Sequence, residues 1–290
     1  MASRPTLPYF APASRLPAPL PTVDEILAST NRLSPTRAVP VVRVGDHFAV
    51  KYGDSQDVRL QEGENMLFVQ QSSNVPVPIV YAIFHDEKTD KNFIVQEYIP
   101  GKMLQGIWGG LSATDKMAVA SQLRTHMDRL RSIPSPGYYG GIWRQPNQDF
   151  LFADPDLRPR LDKAISGPYE TEEQWVEGML RCAELRYCYE TTKQHFFPVL
   201  RRHYRTVFKD HKPVFTHADF FPGNIMIRDD DKSVVIIDWE HAGWYPSFWE
   251  YSNACLNLRH ADDWGEWLPQ VLDGYAAELG WTEYHRNLVM

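Results

Sequence analysis

Cysteine is almost missing from this chain. Only Cys182, Cys188 and Cys255 carry a thiol, and no two of them stand as a C-x-x-C pair. An odd, scattered set excludes a disulfide framework and a thiolate zinc site, and reads as reduced thiols in a cytosolic protein. Long apolar runs are absent too: nothing reaches the ~20 residues that span a bilayer, so no membrane partner is expected. An N-terminal leader is not expected either, because Pro5, Pro8, Pro12, Pro17, Pro19 and Pro21 interrupt any apolar core there. Positive charge is in deficit, with 30 Lys and Arg against 37 Asp and Glu and a net charge of −7. Phosphate backbones are bound through a basic face, so this balance argues against a nucleic-acid partner. The acidic balance suits a cationic substrate, and equally suits simple solubility.

What is present is ordinary for a globular protein, with 43% apolar and 23% charged residues. A chain of 290 residues is long for one core, so two packed bodies are expected. Residues 1–21 are rich in Pro and Ala and read as an extended or disordered arm. Thr22 and Glu25 form a capping box for a short helix through Ser29. Residues 39–44 and 47–52 alternate as a hairpin about Gly45-Asp46, ending near Lys51. Residues 60–72 read as a helix stopped by the prolines at 76 and 78, and 79–84 and 92–99 as strands. Beyond Gly101 the pattern turns helical. Met117, Ala120, Leu123, Met127 and Leu130 form one apolar face up to Pro134. A second helix starts near Glu172 and runs past Cys188, and Pro198 either kinks it or begins another. Residues 137–152 read as an aromatic, glycine-rich loop, and Leu256 onward as terminal helices.

The densest chemistry lies in Phe215-Thr-His217-Ala-Asp219-Phe-Phe-Pro-Gly-Asn224-Ile-Met-Ile227, followed by Val234-Val-Ile-Ile-Asp238-Trp-Glu240. Asp and Asn near turns often close Asx-turns, and Pro222-Gly223 is a turn signal anywhere. Asp229-Asp230-Asp231 reads as a solvated hairpin tip. Taken together, though, the run offers a carboxylate to orient an attacking hydroxyl and two oxygen ligands for a metal on a nucleotide. The register H-x-D-x-x-x-x-N followed by Ile-Asp resembles the catalytic and metal-binding loops of the aminoglycoside phosphotransferase family, and the proline-rich entry, Trp239-Glu240 and Trp244-Tyr-Pro246 look like its fungal members, most of unassigned substrate.

The resemblance implies an α+β, two-lobed protein-kinase-like fold. A small antiparallel β-sheet N-lobe with one helix would precede a larger, mainly α-helical C-lobe carrying the catalytic β-hairpin. Residues 22–100 would be the nucleotide-binding lobe and 101–290 the catalytic and substrate-binding lobe. The activity implied is transfer of the γ-phosphate of ATP, or of GTP, to a hydroxyl of a small molecule with Mg²⁺ as cofactor. By the same resemblance Asp219 orients the acceptor hydroxyl, Asn224 and Asp238 hold the metal, and His217 orders the loop by hydrogen bonding. Lys51 in Phe-Ala-Val-Lys would meet the nucleotide phosphates, held by Glu62 or by its rival Glu64, with the family register favouring Glu62. Glu97 and Ile99 fall where backbone groups would grip adenine. Between Thr30 and Val50 only Gly45 is glycine, so Ser34, Pro35 and Thr36 would have to offer backbone N–H groups or hydroxyls where the resemblance expects a glycine-rich phosphate loop. Protein-kinase Asp-Phe-Gly is not kept after Asp238, and only a short segment follows, which disfavours a protein acceptor. Trp108, Tyr138, Tyr139, Trp143, Trp244 and Trp249 are candidates for an aromatic substrate wall, and Asp149, Asp154, Glu240 and Glu250 for gripping an amine. The alternatives are an atypical protein kinase and an idle pseudokinase that serves as a binding module.

Overall fold

The structure is a computed structural model and describes residues 3–34, 39–149, 152, 166–187, 196–258 and 262–289. Two compact units emerge. The first comprises Met1–Ile107 and Pro222–Glu240, and the second Trp108–Phe221 and His241–Met290.

In the first unit, period-2 alternation builds an antiparallel sheet in the order β1-β4-β5-β3-β2. Its strands are β1 (Tyr9–Phe10), β2 (Val41–Val44), β3 (Phe48–Gly53), β4 (Val80–Asp86) and β5 (Lys91–Glu97). Residues 1–21 thus supply an edge strand, since Tyr9 pairs with Ile83 and Phe10 with Ala82. One face of the sheet buries Phe48, Val50, Phe93 and Val95 with Ile26 from helix α1 (Val23–Ala28), which carries the Thr22–Glu25 capping box. The other face receives α2 (Gln61–Ser72), which is buried from Gln61 to Val69. Gly63 permits that approach: a Cβ there would lie 2.8 Å from Ile83. Strand alternation sets Lys51 opposite Ile94, on the face that α2 covers.

The same unit holds a second, three-stranded sheet, β6-β8-β9. Here β8 (Ile225–Arg228) and β9 (Val234–Ile236) form the expected hairpin about the three aspartates, and β6 (Gly101–Met103) pairs with β8. Pro100-Gly101 is therefore the start of a further strand and not simply the end of the preceding one. Helix α3 (Leu104–Ile107) follows it.

The second unit is mainly helical: α4 (Ala113–Arg131), α5 (Glu172–Tyr187), α6 (Phe196–Val207), α7 (Trp249–Leu256), α8 (Trp264–Val271) and α9 (Ala276–Val289). Pro198 lies in the first turn of α6, where a missing N–H costs nothing. Leu256 ends a helix that begins at Trp249 and does not start the terminal set. Two short strands, β7 (Pro213–Thr216) and β10 (Gly243–Pro246), pair antiparallel. The core packs Trp175 against Trp249, Phe152 and Phe248 at ring separations of 4.8, 5.2 and 6.1 Å. No helix among the described residues is long and apolar enough to cross a membrane. Among the described residues no disulfide forms: Cys182 is buried and Cys255 half-buried, while Cys188 lies outside the described residues.

Candidate active site

Within the first unit, Lys51 is the centre of a buried charge cluster. Its Nζ lies 2.7 Å from Glu62, 3.0 Å from Asp238 and 3.2 Å from Glu240. The rival Glu64 points elsewhere, to Arg4 at 2.8 Å. Glu62 reaches the lysine because it neighbours Gly63, the point where α2 presses on the sheet face bearing Lys51.

One cation cannot satisfy three carboxylates. Burial alone would lower the Lys51 pKa, but Glu62, Asp238 and Glu240 outweigh it and hold the ammonium well above its ordinary range. Burial pushes Glu62 up to about 7 against the pull of Lys51, and repulsion from Asp238 and Glu240 adds to the rise. The lysine is firmly charged, and the surplus is negative. One oxygen each from Glu62, Asp238 and Glu240 lies within 4.8 Å of the others. An all-oxygen set with excess negative charge fits Mg²⁺.

The hairpin aims Asp238 into this cluster. The Ile237 N–H donates to the Asn224 carbonyl at 2.9 Å, tying the residue before Asp238 to buried Asn224. On the far side, Asn65 Nδ2 donates to the Trp239 carbonyl at 2.8 Å. Between these two bonds Asp238 adopts φ +65°, a left-handed conformation that aspartate tolerates better than most residues. Glu97 is held by Arg228 at 2.7 Å. The N–H groups of Glu97 and Tyr98 donate to Ile79 and His47 carbonyls, each at 2.8 Å, and Ile99 is buried. Ser34 lies in the described chain, while Pro35 and Thr36 fall outside it.

Within the second unit, Asp219 closes a loop pinned by α7. Glu250 accepts the His217 N–H at 2.7 Å and the Ala218 N–H at 3.1 Å. Asn253 donates to the Ala218 carbonyl at 3.2 Å, and Asn257 donates to Asp219 Oδ1 at 3.3 Å. The spacing of Glu250, Asn253 and Asn257, three then four, is one face of a helix and its cap. His217 is fully buried, and its Nδ1 accepts the Asp219 N–H at 3.2 Å, which leaves the proton of a neutral ring on Nε2. Ala218 sits at φ +67°, which turns the chain between His217 and Asp219. Burial raises the Glu250 carboxyl to about 7, although the two N–H bonds and Arg131 pull it down.

Glu250 is thus a clamp on the loop and not a ligand for an amine. Asp149 is also structural, buried and accepting from Trp249 Nε1 at 3.0 Å and Asn253 at 3.3 Å. Glu240 is spent on Lys51, and Asp154 lies outside the described residues. The aromatic wall is also corrected. Trp108, Tyr138, Tyr139, Trp244 and Trp249 are buried in the packing, because large rings bring more stability in a core than in a wet cleft, and of the six candidates only Trp143 is half-buried. What lines a cavity of about 400 Å³ beside Asp219 is Phe221, Leu256, Asn257, Leu258 and Arg286. The three-and-four spacing of polar residues after Tyr245 was the available sequence signal for the clamp.

A model of the phosphotransferase enzyme family matches residues 41–286. No curated protein matches the sequence significantly. Among solved structures, the streptomycin–ATP–APH(2")-IIa ternary complex superposes with a TM-score of 0.56 at 17% identity, over 89% of this chain and 80% of that one. A candidate fructosamine-3-kinase from Haemophilus somnus 129PT gives 0.56 at 10% identity, with coverages of 89% and 80%. The GDP and kanamycin complex of APH(2")-IIia gives 0.55 at 14% identity, with coverages of 89% and 83%. Identities this low carry the fold, which is the protein-kinase-like α+β architecture.

Proposed function

Because the chain belongs to the phosphotransferase enzyme family, we propose that it moves the γ-phosphoryl group of ATP, or of GTP, to a hydroxyl of a small molecule. The observation that carries the proposal is the single buried ammonium of Lys51 among Glu62, Asp238 and Glu240. Such a cluster suits a cation-loaded polyphosphate, whose charges exchange for those already there. The nucleotides named with the similar structures, ATP and GDP, support a nucleoside triphosphate donor.

On this reading Lys51, steadied by Glu62, meets the α- and β-phosphates. Asp238 and Asn224 supply oxygen ligands for Mg²⁺, with Glu240 beside them. Bound there, Mg²⁺ would neutralise charge on the β- and γ-phosphates. Adenine is assigned to the backbone at Ile99, beside Glu97. Asp219 accepts a hydrogen bond from the acceptor hydroxyl and directs its oxygen at the γ-phosphorus. His217 and Glu250 hold the loop so that Asp219 need not reorganise. Nucleotide binding thus falls to residues 22–100 with the hairpin, and catalysis and acceptor binding to the rest of 101–290.

Thermal melting with ATP and Mg²⁺ together, against each alone, tests the reading. A hundredfold excess over Kd adds about 2.7 kcal/mol. Wild type gains that shift only with both ligands, and Asp238→Ala loses it. Asp219→Asn keeps the shift but loses roughly 10²–10⁴-fold in transfer of labelled γ-phosphate to small alcohols. Absence of metal-dependent stabilisation in wild type would refute the proposal.

A further inference from the structure

Glu62, Gly63 and Glu64, consecutive near the start of α2, meet three different things. Glu62 pairs with Lys51 at 2.7 Å, Gly63 lies against the sheet, and Glu64 pairs with Arg4 at 2.8 Å. Successive helical residues point about 100° apart, so the two carboxylates leave α2 about 200° apart, on opposite flanks. Between them Gly63 rests on Ile83 and Ile94, where an added Cβ would lie 2.8 and 3.4 Å from side-chain carbons. The first turn of α2 is thus footed on the sheet with one cation on either side.

Arg4 belongs to the N-terminal arm. Its Nε donates to Glu64 Oε1 at 2.8 Å and its Nη2 to Glu64 Oε2 at 3.3 Å, a fork that fixes direction as well as distance. The Glu64 side chain is only 2% exposed, so the arm carries its charge to a buried carboxylate. The arm is itself anchored. Tyr9 and Phe10 pair with Ile83 and Ala82, the Ala11 N–H donates to the Tyr81 carbonyl at 2.8 Å, and Phe10 stacks on Phe84 at 5.8 Å. Further along, Leu16, Ala18, Leu20 and Val23 pack with Phe48 and Val50 on the face away from α2. Residues 4–23 therefore run from α2, round the sheet edge at β1, to the far side. Ile83 is shared, since its backbone pairs with Tyr9 and its side chain supports Gly63.

We infer that Arg4 is a positioning residue for the nucleotide site: through Glu64 it fixes the roll of α2 about Gly63, and so keeps Glu62 on Lys51. One residue separates the two carboxylates on a rigid helix, so a roll that carries Glu64 off Arg4 also carries Glu62 off Lys51. The pairs stand on opposite flanks, and together they oppose roll in both directions. The arm is then a strap whose free end is Arg4 and whose fixed end is the packing of residues 16–23. The role of Lys51 toward phosphates rests on the phosphotransferase reading, whereas the coupling of Arg4 to Glu62 is measurable without nucleotide.

Wild type, Arg4→Gln, Glu62→Gln and the double variant, all as full chains, form a cycle that tests this. Calorimetric titration of ATP with Mg²⁺ reads nucleotide affinity, and urea midpoints without nucleotide read stability. Arg4→Gln should weaken ATP with Mg²⁺ roughly 3- to 30-fold, within the coupling found between residues of one ion-pair network. Arg4→Lys keeps the charge but not the fork, so it should recover part of that loss, and it replaces the Gln variant in the cycle if that one fails to fold. On the Glu62→Gln background the Arg4 substitution should cost no further affinity, because the carboxylate that Arg4 positions is gone. Arg15→Gln removes another exposed cation of the arm and should leave affinity unchanged. Wild-type affinity in Arg4→Gln would mean that α2 is held without the arm, and overturns the inference. Losses that add in the double variant, or an equal loss in Arg15→Gln, overturn it as well, pointing to general loosening or to net charge. If wild type binds no ATP with Mg²⁺, the phosphotransferase reading fails and the urea cycle decides on Arg4 alone: non-additive midpoints sustain its coupling to Glu62, and additive ones end it. If wild type binds and the affinity losses add, the phosphotransferase reading stands and the role of Arg4 falls.

Discussion

At the scale of single residues, Glu250 is the side chain whose titration is easiest to read. It holds the N–H groups of His217 and Ala218 from a fully buried position, and burial lifts its carboxyl from 4.5 to about 7. The folded protein therefore keeps a proton that the unfolded chain has already released at pH 5 to 6. Stability conferred by the protonated carboxyl is complete below about 4.5 and is lost as pH rises through about 7. The loss amounts to about 3 kcal/mol at about 1.4 kcal/mol per pKa unit. Glu250→Gln cannot ionise, so melting curves from pH 5 to 8 should show wild type losing ground to the variant as pH rises. A constant gap between them would mean that the carboxyl is ionised throughout, steadied by its two N–H donors. The neighbouring lesson concerns Lys51. Its partnership with Glu62 was readable from helix position, whereas Glu240 was not, because only the left-handed turn at Asp238 brings the next carboxylate back to the lysine.

At the scale of elements, what the sequence showed was local and periodic. The capping box at Thr22, the β2–β3 hairpin, the apolar stripe of α4 from Ala120 to Leu130 (Met117, read as part of it, is exposed) and the β8–β9 hairpin each declare themselves within a dozen residues. The elements that escaped reading are short strands defined by distant partners: β6 pairs with β8, more than a hundred residues later, and β7 pairs with β10. Three or four residues carry too little alternation to announce a strand without the partner. β6 also shows why Gly101 matters. A Cβ there would overlap the Ile227 carbonyl oxygen and press on Arg228 Cα at 3.2 Å, both of them backbone atoms. Gly106, three residues past β6 in α3, faces open space. Gly101→Ala should therefore cost about 1–3 kcal/mol by forcing β6 off β8. Gly106→Ala should gain about 0.5–1 kcal/mol from reduced unfolded-chain entropy. Urea midpoints of the two variants check this pair. Equal effects would mean that β6 is free to move away from the hairpin.

At the scale of the whole molecule, chain order and folded unit part company. The sequence suggested a boundary near residue 100, because strand-like runs stop there and helical ones begin. The first unit in fact recruits Pro222–Glu240 from far along the chain. That stretch brings β8, the strand with which β6 pairs, and β9 on its far side, and it brings Asp238 and Glu240 to Lys51. A contiguous N-terminal fragment, residues 1–107, would keep the five-stranded sheet, α2 and the Lys51–Glu62 pair. It would lose the β6 partner and two of the three carboxylates around the lysine. It would also expose the side of α2 where Asn65 otherwise meets the Trp239 carbonyl. Such a fragment should melt with low cooperativity and gain nothing from Mg²⁺ with ATP. Rejoining residues 222–240 through a flexible Gly/Ser linker should restore a sharp transition, because every contact named here is internal to that unit. Differential scanning calorimetry of the two fragments decides the matter. If residues 1–107 alone melted as sharply as the linked form, the hairpin would be an accessory to that unit. If only the linked form did, the later segment is part of its core, and the site at Lys51 forms only when both parts of the chain are present.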